Sequence, residues 1–295
     1  MGTDKKKQIL TPDKQGFLEV DNAKVYWEYF GKGDKEAVAL MNGIAMYTKS
    51  WYSFLGLLLD EYDVILYDYL GQGDSSSEDV PYDIDRFCDY LSLIADNLNI
   101  DKFHIMGISY GGMVALNYAR LYPERVMSMT VSGALLTNEE LYDFNRANSI
   151  LLLEKAPFEV FTSILYGSIF GEKFIKNVRP MFDTMREKLY NRYKDRMHSL
   201  VRLIQTQDKY FDELEQNFEQ YKSIQTPTLV MCGNEDTLVP KWVQKKIADI
   251  LPNSKFEAVQ VCGHVVYIEQ SDIFFTNMKR LMNAKSSDFE FYTGK

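Results

Sequence analysis

The stretch Gly107-Ile108-Ser109-Tyr110-Gly111-Gly112 restricts the fold of this chain more than any other segment. The apolar run 103–106 before it predicts a buried strand, and the run 113–120 after it predicts a helix. A serine at the apex of such a turn is the G-x-S-x-G pattern of a nucleophile elbow, where glycine avoids collisions across a strained backbone. A non-catalytic, glycine-rich turn between a strand and a helix can have the same sequence, so the pentapeptide alone leaves both interpretations open.

A regular alternation of strand and helix patterns surrounds this turn. Alternating residues at 17–20 and 23–30 predict a β-hairpin. Continuous apolar runs, which are typical of strands in a parallel sheet, occur at 37–41, 64–67, 126–131 and 228–232, with a further strand at 255–261. Helical patterns cover 50–60, 83–98, 240–250 and a last segment that ends near 283. Together they predict an α/β fold with a doubly wound, mostly parallel sheet.

Residues 134–222 interrupt this alternation. They show several amphipathic helical patterns and no strand pattern, with breaks at Pro157, Gly167, Gly171 and Pro180. We therefore predict a helical cap over 134–222, inserted into a core that comprises 16–133 and 223–284. The polar segment 1–15 is predicted to be a flexible tail, and 285–295 a second tail.

Charge and cysteine content limit the class of function. The net charge of -9 disfavours binding to nucleic acid or to an anionic membrane. Cys88, Cys232 and Cys262 lie in apolar segments without C-x-x-C spacing, which predicts reduced thiols and no metal site. The N-terminus lacks the apolar segment of a secretory signal, and no apolar run is long enough for a bilayer, so we predict a cytoplasmic protein. The sequence calls for no cofactor and leaves homodimer formation open.

A serine nucleophile needs a base, and the chain has 3 histidines. His104 lies inside the strand before Ser109, which favours a structural role, and His198 lies in a polar stretch of the cap, which favours solvent exposure. His264 follows the strand at 255–261 and opens the last helix. Because the carboxyl ends of parallel strands meet at one edge of the sheet, we predict that His264 is the base for Ser109.

The base in turn needs a carboxylate that orients it. Asp236 directly follows the strand at 228–232 and so reaches the same edge. Its neighbour Glu235 is predicted to leave the turn in another direction and to be solvated. The order Ser109, Asp236, His264 is the chain order expected for a triad that starts at a G-x-S-x-G turn.

The negatively charged oxygen of a tetrahedral intermediate needs backbone N–H donors. The residue after the nucleophile, Tyr110, is predicted to supply one of them. The loop after the strand at 37–41 contains Asn42-Gly43-Ile44, and we assign the second donor to Ile44. Asn42-Gly43 is equally typical of an ordinary tight turn.

Taken together, these motifs resemble those of the α/β-hydrolase fold superfamily over essentially the whole folded length of the chain. The resemblance rests on the Ser109 turn, on Gly233-x-x-Asp236-x-x-x-Pro240 and on Gly263-His264 followed by Glu269. It implies a serine hydrolase with a helical cap inserted before the strand that carries the acid.

Two positions depart from this family. Asn42-Gly43 stands where relatives usually have His-Gly, and Leu70 stands where they usually have Arg. Both residues brace the oxyanion loop in relatives, so we expect that loop to be held differently here. The run 40–46 also resembles, locally, the corresponding loop of hydroxyalkanoyloxy-alkanoate synthases, which have this fold and transfer hydroxyacyl chains.

The triad and the resemblance imply hydrolysis of a carboxylic ester, a lactone or a thioester through an acyl-enzyme on Ser109. A serine at this position excludes the branches with an aspartate nucleophile, the haloalkane dehalogenases and the epoxide hydrolases. Acyl transfer to a hydroxyl acceptor uses the same acyl-enzyme and stays an alternative. A ligand-binding protein on a hydrolase scaffold is disfavoured because no triad member is missing.

Apolar residues of the cap, at 150–153 and 158–170, either line a pocket for the acyl group or form the cap's own core. We predict a pocket for an apolar acyl group of medium size, lined by Asn42, Met46, Tyr47, Phe161 and Leu165. The partner is predicted to be a small-molecule acyl substrate, with neither nucleic acid nor membrane involved.

Overall fold

The computed structural model describes residues 10–20, 22–76 and 80–294. These residues form one eight-stranded sheet, whose strands in chain order are β1 (Lys14–Val20), β2 (Ala23–Phe30), β3 (Ala37–Met41), β4 (Asp63–Tyr67), β5 (Phe103–Ile108), β6 (Val126–Ser132), β7 (Thr228–Gly233) and β8 (Ser254–Val259). The α-helices are α1 (Tyr52–Leu55), α2 (Ile84–Asn97), α3 (Tyr110–Leu121), α4 (Glu140–Lys155), α5 (Phe158–Ile169), α6 (Glu172–Val178), α7 (Phe182–Tyr193), α8 (Met197–Asp212), α9 (Leu214–Lys222), α10 (Lys241–Ile250), α11 (Val266–Glu269) and α12 (Ser271–Ala284).

The sheet is mostly parallel, as the sequence predicts. Its strand order is β1-β2-β4-β3-β5-β6-β7-β8, in which β1 and β2 form an antiparallel hairpin and β2 also pairs antiparallel with β4. The remaining neighbours pair in parallel, for instance Leu40 with Met106 and Val131 with Val230. The carboxyl ends of β3, β5, β6, β7 and β8 therefore lie along one edge, and the loops with the predicted site residues begin there.

Helices cover both faces of the sheet because its central strands are apolar on both sides. In β3, Ala37, Ala39 and Met41 pack into one buried cluster with α2, α3 and α10, whereas Val38 and Leu40 pack into another with α12. Successive residues of a strand point to opposite faces, so an uninterrupted apolar run supplies the interior of both layers. This arrangement confirms the predicted doubly wound α/β fold.

Two predicted helices differ in detail. The pattern at 50–60 forms a 3₁₀ turn at Thr48–Ser50 and the single turn α1, after which bonds such as Leu57 N to Phe54 O, at 2.9 Å, close tighter turns. The last helix is divided into α11 and α12 by Gln270, whose φ of −136° and ψ of 52° lie outside the helical region. His264 therefore lies in the loop before α11 and does not open a long helix.

Helices α4 to α9 all lie between β6 and β7, within 134–222, and are called the cap helices below. The division of the chain into core and cap stays a prediction. None of the described helices, those of the cap included, has both the length and the apolar character that crossing a bilayer requires.

Parts of both predicted tails make contacts with the folded core in the residues that the structure describes. Strand β1 begins at Lys14, inside the predicted tail 1–15, of which 1–9 lie outside the described residues. In the segment 285–295, Tyr292 N donates to Asn277 Oδ1 at 2.7 Å, so this part of the chain contacts α12.

Candidate active site

Ser109 occupies the turn between β5 and α3. Its backbone has φ 56° and ψ −122°, a conformation rare for a residue with a side chain, and its N–H donates to Ser132 O at 2.7 Å. A Cβ atom at Gly107 would lie 2.6 Å from Gly111 C, and one at Gly111 would lie 2.6 Å from Asn42 O. The two glycines thus permit the close backbone contacts that hold the serine at the apex.

His264 and Asp236 form a hydrogen-bonded pair at the same edge of the sheet. His264 Nδ1 lies 2.9 Å from Asp236 Oδ2, and both side chains are buried. An aspartate that accepts from Nδ1–H leaves Nε2 as the proton acceptor of the neutral imidazole. Nε2 is buried and has no hydrogen-bond partner among the described residues, Ser109 included, so it is free to accept a proton.

Three further donors hold Asp236. Its Oδ1 accepts from the backbone N–H groups of Leu238 and Val239, at 3.0 and 2.9 Å, and its Oδ2 accepts from Gln244 Nε2 at 2.9 Å. These bonds compensate the buried negative charge and fix the plane of the carboxylate. Sequence reasoning missed Gln244. A polar residue on the buried face of α10, beside Val243, is the signal that could have identified it.

Ser132 and Gly133, at the end of β6, contact the segments of both Ser109 and His264. Ser132 O accepts from Ser109 N, and Gly133 N donates to Gln244 Oε1 at 2.7 Å. Gly133 has φ 69°, and a Cβ atom there would lie 2.9 Å from His264 Nε2. The imidazole therefore packs on the backbone next to Ser132, the residue whose carbonyl oxygen accepts from Ser109 N.

The two predicted oxyanion donors belong to segments next to Ser109, the start of α3 and the loop after β3. Tyr110 is the first residue of α3, so its N–H has no acceptor within the helix. Ile44 lies in the loop after β3, next to Ala45, whose φ of 64° places strain in this loop as well. A Cβ atom at Gly43 would lie 3.6 Å from Ser109 Cβ, so the loop passes directly beside Ser109.

Asn42 is buried and braces this loop. Its Nδ2 donates to Tyr67 O at 2.8 Å, and its Oδ1 accepts from Trp51 Nε1 at 2.7 Å. The amide thus ties the end of β3 to the end of β4 and to the tryptophan. This differs from the prediction that Asn42 lines the acyl pocket, because both polar ends of its side chain are used inside the protein.

The loop after β4 supports the same region, although it has Leu70 where relatives usually have arginine. Asp68 Oδ1 accepts from Thr48 N at 2.6 Å, and its Oδ2 accepts from Asp74 N at 2.9 Å. Burial raises the pKa of the Asp68 carboxyl to about 7, although these two N–H groups act in the opposite direction. Leu70 lies in the apolar cluster that contains α2 and α3, so it contributes packing and no side-chain hydrogen bond.

The other four predicted pocket residues have different surroundings in the structure. Met46 and Leu165 pack in one apolar cluster, which joins the loop after β3 to α5. The ring of Tyr47 is covered by the Arg192 guanidinium of α7, 3.5 Å from the ring centroid. Phe161 is buried, and its ring packs on another ring of α5. Met46 and Leu165 are therefore the two predicted pocket residues that pack against the same part of the core.

The remaining histidines and acidic residues lie around this site in other roles. His104 Nδ1 lies 2.8 Å from Ser128 Oγ and its Nε2 lies 3.2 Å from Glu36 Oε2, and His198 is exposed. Glu235, predicted to be solvated, instead accepts a bond of 2.9 Å from the first N–H of α6. Across residues 10–20, 22–76 and 80–294, no three His, Cys, Asp or Glu side chains form a group that could hold a metal ion.

Comparison with known proteins agrees with this architecture. A family model described as alpha/beta hydrolase fold matches residues 36–271. A proline iminopeptidase of Heyndrickxia coagulans is 27% identical over 297 residues, covering 92% of this chain and 99% of the relative. A cis-3-alkyl-4-alkyloxetan-2-one decarboxylase of Shewanella oneidensis is 25% identical over 292 residues, covering 92% and 89%.

A solved structure shows the same fold. MGS-M2, an alpha/beta hydrolase from a Medee basin deep-sea metagenome library, matches with a TM-score of 0.83 and 22% identity, over 94% of this chain and 99% of that one. The family model alone spans most of the sheet, the cap helices and the loops that carry Ser109, Asp236 and His264. This chain belongs to the alpha/beta hydrolase fold family.

Proposed function

We propose that this protein is a serine hydrolase that cleaves a carboxylic ester, a lactone or a thioester with an apolar acyl group. The observation that supports this most is the state of His264, whose Nδ1 is held by Asp236 while its buried Nε2 has no partner among the described residues. The relatives named above include a peptidase and a decarboxylase, so the reaction has to be argued from the site and not from the family.

In the first half-reaction, Ser109 Oγ attacks the acyl carbon while its proton passes to His264 Nε2. The backbone N–H groups of Tyr110 and Ile44 bind the oxyanion, and the N-terminus of α3 favours its charge. Asp236 stabilises the imidazolium. Collapse of the intermediate breaks the bond to the leaving oxygen or sulfur, which takes the proton from His264, and the acyl group stays on Ser109.

Water completes the second half-reaction. His264 Nε2 takes a proton from a water molecule, whose oxygen attacks the acyl carbon of the acyl-enzyme. The second intermediate collapses, the proton returns to Ser109 Oγ, and the carboxylic acid leaves.

Ser109→Ala tests this proposal directly. We expect kcat for p-nitrophenyl ester hydrolysis to fall by roughly 10⁴- to 10⁶-fold, and labelling by a fluorophosphonate probe to disappear. Ser223→Ala, which removes an exposed hydroxyl at the end of α9, is the matched control and should keep both activities. Ester cleavage that survives in Ser109→Ala would refute the assignment. A wild-type protein that the probe does not label would favour a binding protein without catalysis.

A series of p-nitrophenyl esters of rising chain length, with lactones alongside, tests the acyl pocket. Leu165→Ala should shift the preference towards longer chains, because one methylene in an apolar pocket is worth about 1–3 kcal/mol. Leu151→Ala, on the exposed surface of α4, is the control. An unchanged preference in Leu165→Ala would place that residue outside the pocket.

Acyl transfer to a hydroxyl acceptor is the second candidate. The run 40–46, which resembles the corresponding loop of hydroxyalkanoyloxy-alkanoate synthases, is the feature that supports it. Incubation with acyl-CoA and hydroxyl acceptors, followed by mass spectrometry of the products, separates the two reactions. A new ester would support transfer, whereas free acid alone with every acceptor tried would reject it.

A further inference from the structure

The segment that carries His264 is joined directly to the junction between cap helices α5 and α6. His264 N donates to Ile169 O at 2.8 Å. Glu269 connects the same two segments, since its Oε1 accepts from Gly263 N at 3.0 Å and its Oε2 accepts from Gly171 N at 3.1 Å. One carboxylate therefore binds the residue before the base and the residue before α6.

Two glycines make this junction closely fitted. A Cβ atom at Gly171 would lie 2.9 Å from Gly263 N, and one at Gly263 would lie 2.7 Å from Ile169 O. The two backbone segments approach each other closely here, so the distance between the cap and the His264 segment has little freedom. A group that sets this contact also sets the position of the imidazole.

A second carboxylate binds the cap but not the N–H groups beside the base. Glu235 Oε2 accepts from Glu172 N at 2.9 Å, and Glu235 N donates to Cys262 O at 2.8 Å. Glu235 is therefore a suitable control for substitutions at Glu269. Both anchor the start of α6, and of the two side chains only that of Glu269 accepts from Gly263.

We propose that Glu269 is a positioning residue for His264, a role that rests on the proposed function. Its two oxygens hold the Gly263 and Gly171 N–H groups at once, which fixes the loop of the base against the cap. Nε2 is thereby kept where the proton of Ser109 can reach it. Glu269 does not touch the reacting atoms and acts only through the backbone next to His264.

The electrostatic surroundings make this contact sensitive to pH. Burial raises the pKa of Glu269 to about 6, the N–H groups of Gly171 and Gly263 lower it, and the carboxylates of Glu235 and Asp236 raise it again. The titratable groups coupled to it electrostatically are Cys262 on its own segment and Glu235 and Asp236 after β7. Below about pH 6 a proton occupies one oxygen, which makes that oxygen a weaker acceptor for the N–H groups of Gly171 and Gly263.

Glu269→Gln and Glu235→Gln, compared side by side, test the proposal. Glutamine offers one acceptor oxygen and turns an NH₂ group towards the second N–H donor. We expect Glu269→Gln to lower kcat by about 10- to 100-fold with little change in KM, and to slow fluorophosphonate labelling of Ser109 equally. Glu235→Gln should instead raise KM and leave kcat close to that of the wild type.

Hydrogen exchange provides a readout that does not depend on catalysis. Mass spectrometry of peptides covering 262–266 should show faster exchange in Glu269→Gln than in Glu235→Gln. In the wild type, exchange of the same peptides, corrected for the intrinsic rate, should rise as the pH falls from 7 to 5, which tests the role even if the variant does not fold. Equal kcat and equal exchange in both variants would overturn the proposal. If the wild type fails to label at all, the proposed function fails while the exchange comparison still decides the role of Glu269.

Discussion

Gln244 donates from Nε2 to Asp236 Oδ2 at 2.9 Å, the same oxygen that His264 Nδ1 approaches. Its Oε1 accepts from Gly133 N, and Gly133 packs against the imidazole. One buried amide thus joins the acid of the proposed triad to the backbone that supports the base.

Gln244→Met keeps a similar volume but removes these bonds. We expect kcat/KM to fall by about 10- to 100-fold, because a small displacement of the acid–base pair costs that much in rate. The Gly133 N–H, left buried without an acceptor, should lower the free energy of unfolding by about 1–3 kcal/mol. Steady-state kinetics and urea unfolding measure the two effects, with the exposed Gln225→Met as the control. Wild-type kinetics in Gln244→Met would show that the pair keeps its geometry without the amide.

Gly133→Ala should abolish most of the activity. The new methyl group would overlap the His264 ring, and φ 69° is strained for any residue but glycine. Gly167→Ala is the control, because a Cβ atom there meets nothing within 4 Å inside α5 and alanine should stabilise the helix by up to about 1 kcal/mol. Gly133→Ala should therefore lose activity and have a lower Tm than the wild type. Gly167→Ala should keep the wild-type activity and have an equal or higher Tm. Full activity in Gly133→Ala would mean that the imidazole has space that this structure does not show.

Asn42→Leu removes the brace of the oxyanion loop. Tyr67 O and Trp51 Nε1 would each lose a buried partner, which should lower the free energy of unfolding by about 1–3 kcal/mol per group. We also expect a lower kcat, because the backbone of Ile44 follows Asn42 closely in the chain. Asn42→His, which restores the usual family residue, can replace one of the two bonds and should recover part of the stability. Equal unfolding free energies for the two variants would argue against the bracing role.

Asp68 should give the stability a measurable pH dependence. A carboxyl whose pKa is raised on folding binds more protons in the folded state, so its contribution is fully present below the unfolded pKa and is lost as the pH rises through about 7. The wild-type Tm should therefore fall between pH 5 and pH 8 more steeply than that of Asp68→Asn. Part of the slope stays in the variant, because burial also raises the pKa of Glu28. Asp34→Asn, at an exposed position, is the control. If the Tm of Asp68→Asn and that of the wild type change equally with pH, Asp68 does not cause the pH dependence.

The sheet, the turn at Ser109 and the positions of His264 and Asp236 could be derived from the sequence. The turn depends on a run of about a dozen residues in which glycines permit a backbone that other residues resist. The common edge follows from parallel strands, whose carboxyl ends meet whatever side chains fill the core. These features are local or topological, and patterns of apolar residues and glycines are enough to reveal them.

The tertiary structure alone decided which residues support that site. Gln244 and Gly133 are bonded across 111 residues of chain, and Glu269 reaches Gly171 across 98. Glu235, predicted to be solvated, contacts α6 instead. Asn42, predicted to line a pocket, bonds Tyr67 O and Trp51 Nε1 and so braces the loop after β3. Local backbone preference acts over a few residues, whereas the partner of a buried polar group is set by how distant helices and strands pack. A sequence pattern therefore identifies Ser109 as the candidate nucleophile, and only the packed fold shows what holds it in place.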